Sequence, residues 1–241
     1  MARLRPEDGE DARFYGRRRG HRLRPARQGL MDALLPRLAI GLPRGDAPVD
    51  PHSLFDPPRE AVWMEIGFGA GEHLAAQAAA HPEAGIIGCE PYLNGVASLL
   101  RHVQDESLGN VRIWAEDVRL LLPRLPEASV DRLFVLFPDP WPKRRHHFRR
   151  LLSAEGLAEL ARVLADGGEL RIATDHVGYL RWILMHLAAT DGFVWTAAGA
   201  EDWKRRPADW PPTRYEEKAA ARGAVCTYLR WLRRPRDDQK P

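Results

Sequence analysis

The chain has 241 residues, 44% hydrophobic and 29% charged, which suits one large α/β domain with an appendage or two small domains and excludes a globally disordered chain. Two cysteines, Cys89 and Cys226, exclude a disulfide framework or a cysteine-built zinc cluster and suit a reducing cytoplasm; no apolar run nears the ~20 residues that span a bilayer, and the N-terminus lacks the apolar core of a secretory signal. Net charge is only +3, but just four of the 36 basic residues are lysine and the arginines cluster, so a polyanionic partner enters the field.

Residues 1 to about 28 read as a mobile basic arm: an acidic stretch, then seven arginines between Arg13 and Arg27 with no acid among them. Residues 41–58 are rich in Pro, Gly and Asp and read as a connector. Residues 1–55 are therefore expected to be arm and connector, partly flexible, and 56–241 one folded domain.

From residue 60 short apolar runs alternate with helical stretches. Strands are predicted at 61–66 (AVWMEI), 86–90 (IIGCE), 111–117 (VRIWAED), 130–137 (VDRLFVLF), 169–174 (ELRIAT), 193–197 (FVWTA) and 226–232 (CTYLRWL). Helices are predicted at 72–80, 93–103, 153–164 and 179–189, with Ser153 an N-cap and Gly167-Gly168 beyond that helix's end. This rhythm predicts an α/β fold: a doubly wound, mostly parallel, seven-stranded sheet with helices on both faces. Ligands then bind at the carboxyl ends of the strands, near the switch point.

The first strand ends in Glu65-Ile66-Gly67-Phe68-Gly69-Ala70-Gly71-Glu72. A dinucleotide fingerprint would place glycine where Glu72 stands, and a carboxylate in the first helical turn repels a pyrophosphate. The second strand ends in Glu90, about 20 residues past the glycines, where an acid typically accepts the ribose hydroxyls of an adenosine. The third ends in Glu116-Asp117, where a carboxylate can take an adenine amino group. Such a site favours cations without phosphates, and S-adenosylmethionine fits that description. The fourth strand runs into Phe137-Pro138-Asp139-Pro140-Trp141-Pro142, a proline-stiffened mount for Asp139, with Trp141 a candidate stacking surface. A basic cluster, Lys143-Arg144-Arg145-His146-His147-Phe148-Arg149-Arg150, follows at once. His176 receives no role, Trp203, Trp210 and Trp231 read as packing residues, and no metal site is expected.

Together EIGFGAGEHL (65–74), GCEPYLNGV (88–96), FPDPWPKRRHHFRR (137–150), ATDHVGYL (173–180) and PTRYEEKAAARG (212–223) resemble the bacterial tRNA (guanine-N7-)-methyltransferase family. The glycine motif is common to many class I methyltransferases; the FPDPWPK loop and T-R-Y-E are more specific. The resemblance runs from about residue 60 to 232 and implies a Rossmann-like class I fold over 56–241, S-adenosylmethionine as cofactor, and methylation of guanosine N7 in the tRNA variable loop at position 46. By position it implies cofactor contacts from Glu65, Gly67, Gly69, Glu90, Asp117 and Asp139, with Asp139 catalytic. It implies substrate contacts from Lys143, Asp175, Thr213, Arg214, Tyr215 and Glu216, Tyr215 standing where many members have Phe. It implies RNA contacts from Arg145, His146, His147, Phe148, Arg149 and Arg150. The expected partner is tRNA, with no membrane and no metal, the chain acting as monomer or homodimer. The rival readings are another class I RNA or protein methyltransferase, or a non-catalytic RNA-binding module on the same fold.

Overall fold

The computed structural model describes residues 16–236. Two short helices come first, α1 (Pro25–Ala33) and α2 (Leu35–Leu38), each with proline in its opening turn, where the missing N–H is no loss. Then β1 (Val62–Ile66), α3 (Glu72–Ala80), β2 (Gly85–Cys89), α4 (Leu93–Asp105) and β3 (Val111–Trp114) alternate. They are followed by β4 (Val130–Leu136), α5 (Ala154–Val163), β5 (Leu164–Thr174) and α6 (Val177–Ala188). Last come β6 (Phe193–Trp195), α7 (Glu201–Lys204), α8 (Arg214–Ala221) and β7 (Thr227–Arg233).

The strands form one seven-stranded sheet in the order β3-β2-β1-β4-β5-β7-β6. The first five pair in parallel, while β7 runs antiparallel between β5 and β6. β1 and β2 are buried along their whole length, which is why they read as unbroken apolar runs rather than alternating ones. Their side chains still alternate between two cores. Met64, Leu133 and Val135 join Leu157, Leu160, Ile183 and Leu187 on one face. Trp63, Phe134 and Leu136 join Leu74, Val96, Leu99 and Leu100 on the other. Strand order reverses between β1 and β4, so a crevice opens at their carboxyl ends. Ser153 caps α5 as expected, its Oγ accepting from the Gly156 amide at 3.3 Å.

The N-terminal part differs from its sequence reading. Helix α1 begins inside the stretch expected to lack regular structure, and Leu30, Met31, Leu34 and Leu35 pack on the second core. Ile40 donates its amide to the Ile113 carbonyl at 2.9 Å, on the edge strand β3. In the connector, Val49 and Phe55 are buried in the first core. Arg13 and the rest of residues 1–15 lie outside the described residues. Among the described residues no helix is long and apolar enough to cross a membrane.

Candidate active site

The loops after β1 to β4 converge on one crevice of about 160 Å³, open to solvent at its mouth. Gly67, Cys89, Asp117, Pro138, Asp139 and Tyr179 line it. Gly67 has a positive φ of 77°, and a Cβ built there meets nothing within 4 Å, so its backbone faces open space that a ligand can enter. The turn is held from behind by α4. A Cβ on Gly95 would lie 2.1 Å from the Gly69 carbonyl oxygen, so only glycine lets the helix come this close.

The four acids sit in different surroundings. Glu65, almost fully buried, is hydrogen-bonded to His73 Nδ1 at 2.7 Å and borders a small recess beneath Phe137 and Tyr215 that also touches Gly67. Glu90 accepts the Gly69 amide at 3.0 Å and the Tyr92 amide at 2.9 Å. Burial still pushes its pKa above the usual carboxylate range, overcoming those two hydrogen bonds, and the charges of Asp139 and Glu65 add to the shift. Asp117 caps a short 3-10 turn, accepting the Arg119 amide at 2.9 Å and its guanidinium at 3.0 Å. The same Arg119 reaches the Arg149 carbonyl at 2.7 Å, which ties the Asp117 corner to the basic segment. Asp139 stands exposed at the mouth of the crevice, and partial desolvation alone raises its carboxyl above the usual range.

Asp139 sits on a loop whose backbone is held in an uncommon state. Phe137 and Trp141 both have positive φ, 50° and 41°, a region that bulky residues seldom enter. Arg150 stabilises this shape. Its Nε donates to the Pro140 carbonyl at 2.8 Å, its Nη2 to that of Trp141 at 3.3 Å, and the guanidinium lies over the rings of Tyr179 and Trp182. With 5% exposure, Arg150 faces inward and does not join its neighbours at the expected RNA surface. Lys143, Arg144, Arg145 and Phe148 are exposed on and beside a 3-10 turn, while His146, His147 and Arg149 are half-buried. The Arg149 guanidinium lies over Trp141 at 4.8 Å, and the His147 ring packs edge-on against Trp182. His146 is held below the usual imidazole range by desolvation and by the cations of Arg149, Arg145 and Lys143.

The C-terminal motif closes over the recess at Glu65 and Gly67, but its members divide. Thr213 and Glu216 form a capping box at the start of α8, the Thr213 amide donating to Glu216 at 2.7 Å. Glu216 also accepts from the Tyr228 hydroxyl at 2.5 Å and faces Arg206, so these two groups build the helix. Tyr215 instead stacks on Phe137, ring centroids 6.0 Å apart and planes within 11°. It also covers Gly69, where a Cβ would lie 3.0 Å from the tyrosine ring. Its hydroxyl pKa is raised by burial and by Glu90, Asp139 and Glu72, a sign that these acids surround it. Arg214 faces Glu72 at 3.5 Å, and Asp175 pairs with Arg222 at 2.8 Å. His73, Arg119 and Gly95 went unassigned in the sequence reading; only Gly95 carried a signal, as a glycine in the first turn of a predicted helix.

A family model described as a putative methyltransferase matches residues 59–229. The chain is similar to the tRNA (guanine-N(7)-)-methyltransferase of Rhodospirillum rubrum, 55% identical and covering 94% of this chain and 90% of that one. It is 52% identical to the protein of the same name from Paramagnetospirillum magneticum, covering 94% and 95%. Among solved structures, the 16S rRNA methyltransferase KamB overlays with a TM-score of 0.52 at 17% identity, covering 73% of this chain and 89% of that one. An rRNA methylase from Streptococcus thermophilus gives 0.50 at 12% identity, covering 73% and 88%. These two likenesses show a class I methyltransferase fold. On the sequence matches, which extend over nearly the whole length of each relative, the chain belongs to the tRNA (guanine-N(7)-)-methyltransferase family.

Proposed function

We propose that this chain transfers a methyl group from S-adenosylmethionine to N7 of guanosine in tRNA, at position 46 of the variable loop. The observation that carries this reading is the gathering of Glu65, Glu90, Asp117 and Asp139 around the Gly67 turn, with an exposed basic segment on the same rim. When bound, S-adenosylmethionine supplies an electrophilic methyl on a positively charged sulfur.

The residues fit that group. The open space at Gly67 admits a ligand against the backbone, and the acids favour an ammonium and a sulfonium while Glu72 disfavours a phosphate at the helix start. Each Glu90 oxygen accepts a single amide hydrogen, which leaves room for the two hydroxyls of a ribose. Asp117, fixed by Arg119, is placed to accept from an adenine amino group. Glu65, held by His73, serves the end of the site beneath Tyr215.

Guanine N7 is a lone-pair acceptor on the major-groove edge and carries no proton. Methyl transfer to it requires no general base. Positive charge builds on the purine as the bond forms, and Asp139 stabilises that charge from the rim of the crevice, where the bound base shields its carboxylate from water. Phe137 and Tyr215 form an aromatic wall beside it, and Lys143, Arg144 and Arg145 engage the RNA backbone. Alignment of the two substrates supplies much of the remaining acceleration.

The test is incubation with labelled S-adenosylmethionine and unmodified tRNA, followed by nucleoside analysis and mapping. The expected product is 7-methylguanosine confined to position 46. Label on another base, on protein, or nowhere overturns the reading.

A further inference from the structure

The 144–149 segment is not the only basic surface at the rim. A second groove, of about 1100 Å³, runs between the N-terminal segment, α4 and the start of α8. Arg22, Arg24 and Arg27 line one side, Tyr92 and Tyr215 stand in its wall, and its inner end is the Gly69-Ala70 turn. Arg101 and Arg214, on the opposite side, already face Asp105 and Glu72. Arg22, Arg24 and Arg27 have no carboxylate within ion-pair distance among the described residues. Three guanidinium groups along one wall, without a carboxylate partner among the described residues, repel each other and attract a polyanion.

The groove has a built shape. Arg18 forms a two-pronged ion pair with Glu116, next to Asp117. The Leu93 amide donates to the Arg18 carbonyl at 3.0 Å, the Gly20 amide to Asn94 Oδ1 at 2.8 Å, and Asn94 Nδ2 to the His21 carbonyl at 2.8 Å. At Gly20 the chain lies flush on Tyr92, whose hydroxyl would be 2.0 Å from a Cβ there. One arginine of the run is thus spent on anchoring, and the anchor holds Arg22, Arg24 and Arg27 over a groove that opens toward the Gly69 turn. This groove and the crevice share no lining residue, yet both reach the Gly67–Gly69 turn.

We propose that this groove is a second tRNA-binding surface, in which Arg22, Arg24 and Arg27 contact consecutive phosphates and Tyr92 and Tyr215 offer faces to unpaired bases. The inference rests on tRNA being the substrate. It adds that the substrate is gripped on two basic surfaces, one on each side of the reacting base. A cationic methyl donor has no affinity for such a wall, and the spacing of charges with aromatic rings suits RNA.

The experiment measures tRNA binding by the full chain as a function of salt, with melting temperature and S-adenosylmethionine binding as folding controls. Each lost phosphate contact lowers the log–log salt slope by about 0.7–0.9. Arg22→Gln/Arg24→Gln/Arg27→Gln is therefore expected to be shallower by about 2–3, so that between about 50 and 200 mM salt the wild type loses roughly 20- to 40-fold more affinity than the variant. Two further variants separate a shaped groove from loose charge. Asn94→Ala leaves the charge unchanged, and Glu116→Gln makes the protein more positive; both release the anchor and are expected to weaken tRNA binding. An unaltered slope in the triple variant, or tighter binding by Glu116→Gln, overturns the proposal. Failure of the wild type to methylate tRNA would instead remove the reading beneath it, whereas normal methylation with an unaltered triple variant removes the groove alone.

Discussion

Arg150 offers the sharpest separation of scaffold from surface in the basic cluster. Truncation to alanine removes two charge-assisted hydrogen bonds, to Pro140 at 2.8 Å and Trp141 at 3.3 Å, and two cation–π contacts, to Tyr179 at 4.9 Å and Trp182 at 4.7 Å. Charged hydrogen bonds contribute about 1.5–3 kcal/mol and a desolvated cation–π contact up to ~2 kcal/mol, but they share one guanidinium and do not add, so the loss is about 2–4 kcal/mol. For a domain of this size that lowers the melting temperature by roughly 4–15 °C. Without the arginine the positive-φ residues Phe137 and Trp141 lose their restraint, and Asp139 is no longer fixed. Arg150→Lys keeps the charge but not the planar fork and is expected to fall between. Arg145→Ala, at an exposed position five residues away, is expected to keep the melting temperature and lose tRNA affinity with a shallower salt slope. Calorimetric melting and salt-dependent tRNA binding of the three variants decide the matter. An Arg150→Ala protein that melts with the wild type and shows only the salt signature of Arg145→Ala would refute the scaffold role.

Asp139→Ala is expected to slow methyl transfer by about 10²–10³ in kcat, the usual loss for one preorganised electrostatic group, with no fall in melting temperature; near-normal single-turnover rates would remove its role. Glu90 and Asp139 have raised folded pKa values, so the stability they allow is fully present below their unfolded values of 4.5 and 3.8 and is lost as pH rises through the folded ones. A bound cation favours their ionised forms. Binding of S-adenosylmethionine is therefore expected to release protons and to tighten as pH rises through that window, read by calorimetry in buffers of different ionisation heat; proton uptake would contradict this. Gly95→Ala forces a Cβ toward the Gly69 carbonyl, shifts α4 off the turn and strains the Gly69–Glu90 hydrogen bond. It is expected to weaken cofactor binding at least tenfold, while Gly109→Ala, with nothing within 4 Å, leaves binding unchanged.

The sheet was legible because parallel strands buried on both faces read as short apolar runs; Glu65 interrupts the first of them, and Glu90, Asp117 and Asp139 stand beyond the next three. Other features left weaker traces. The N-terminal segment docks through the Arg18–Glu116 pair and main-chain bonds to Asn94, which have no periodicity in sequence. A run of like charges conceals which member turns inward, and Arg150 does so because the loop carbonyls and two aromatic rings lie behind it. Thr213 and Glu216 carry a T-x-x-E capping signal, which the resemblance of the same motif to a substrate-contact segment masks. The Glu65–His73 pair joins a strand to the helix after it, a contact that sequence spacing alone does not announce.

The most direct test of the central claim, that a phosphate-free cationic donor lies among the strand-end acids, is a crystal structure of the protein soaked with S-adenosylmethionine. The expected result places the ribose hydroxyls on Glu90, the adenine amino group at Asp117 and the methyl group facing the Asp139 loop. A donor bound away from the Gly67 turn, or one whose ribose touches neither Glu90 nor its neighbours, would contradict it.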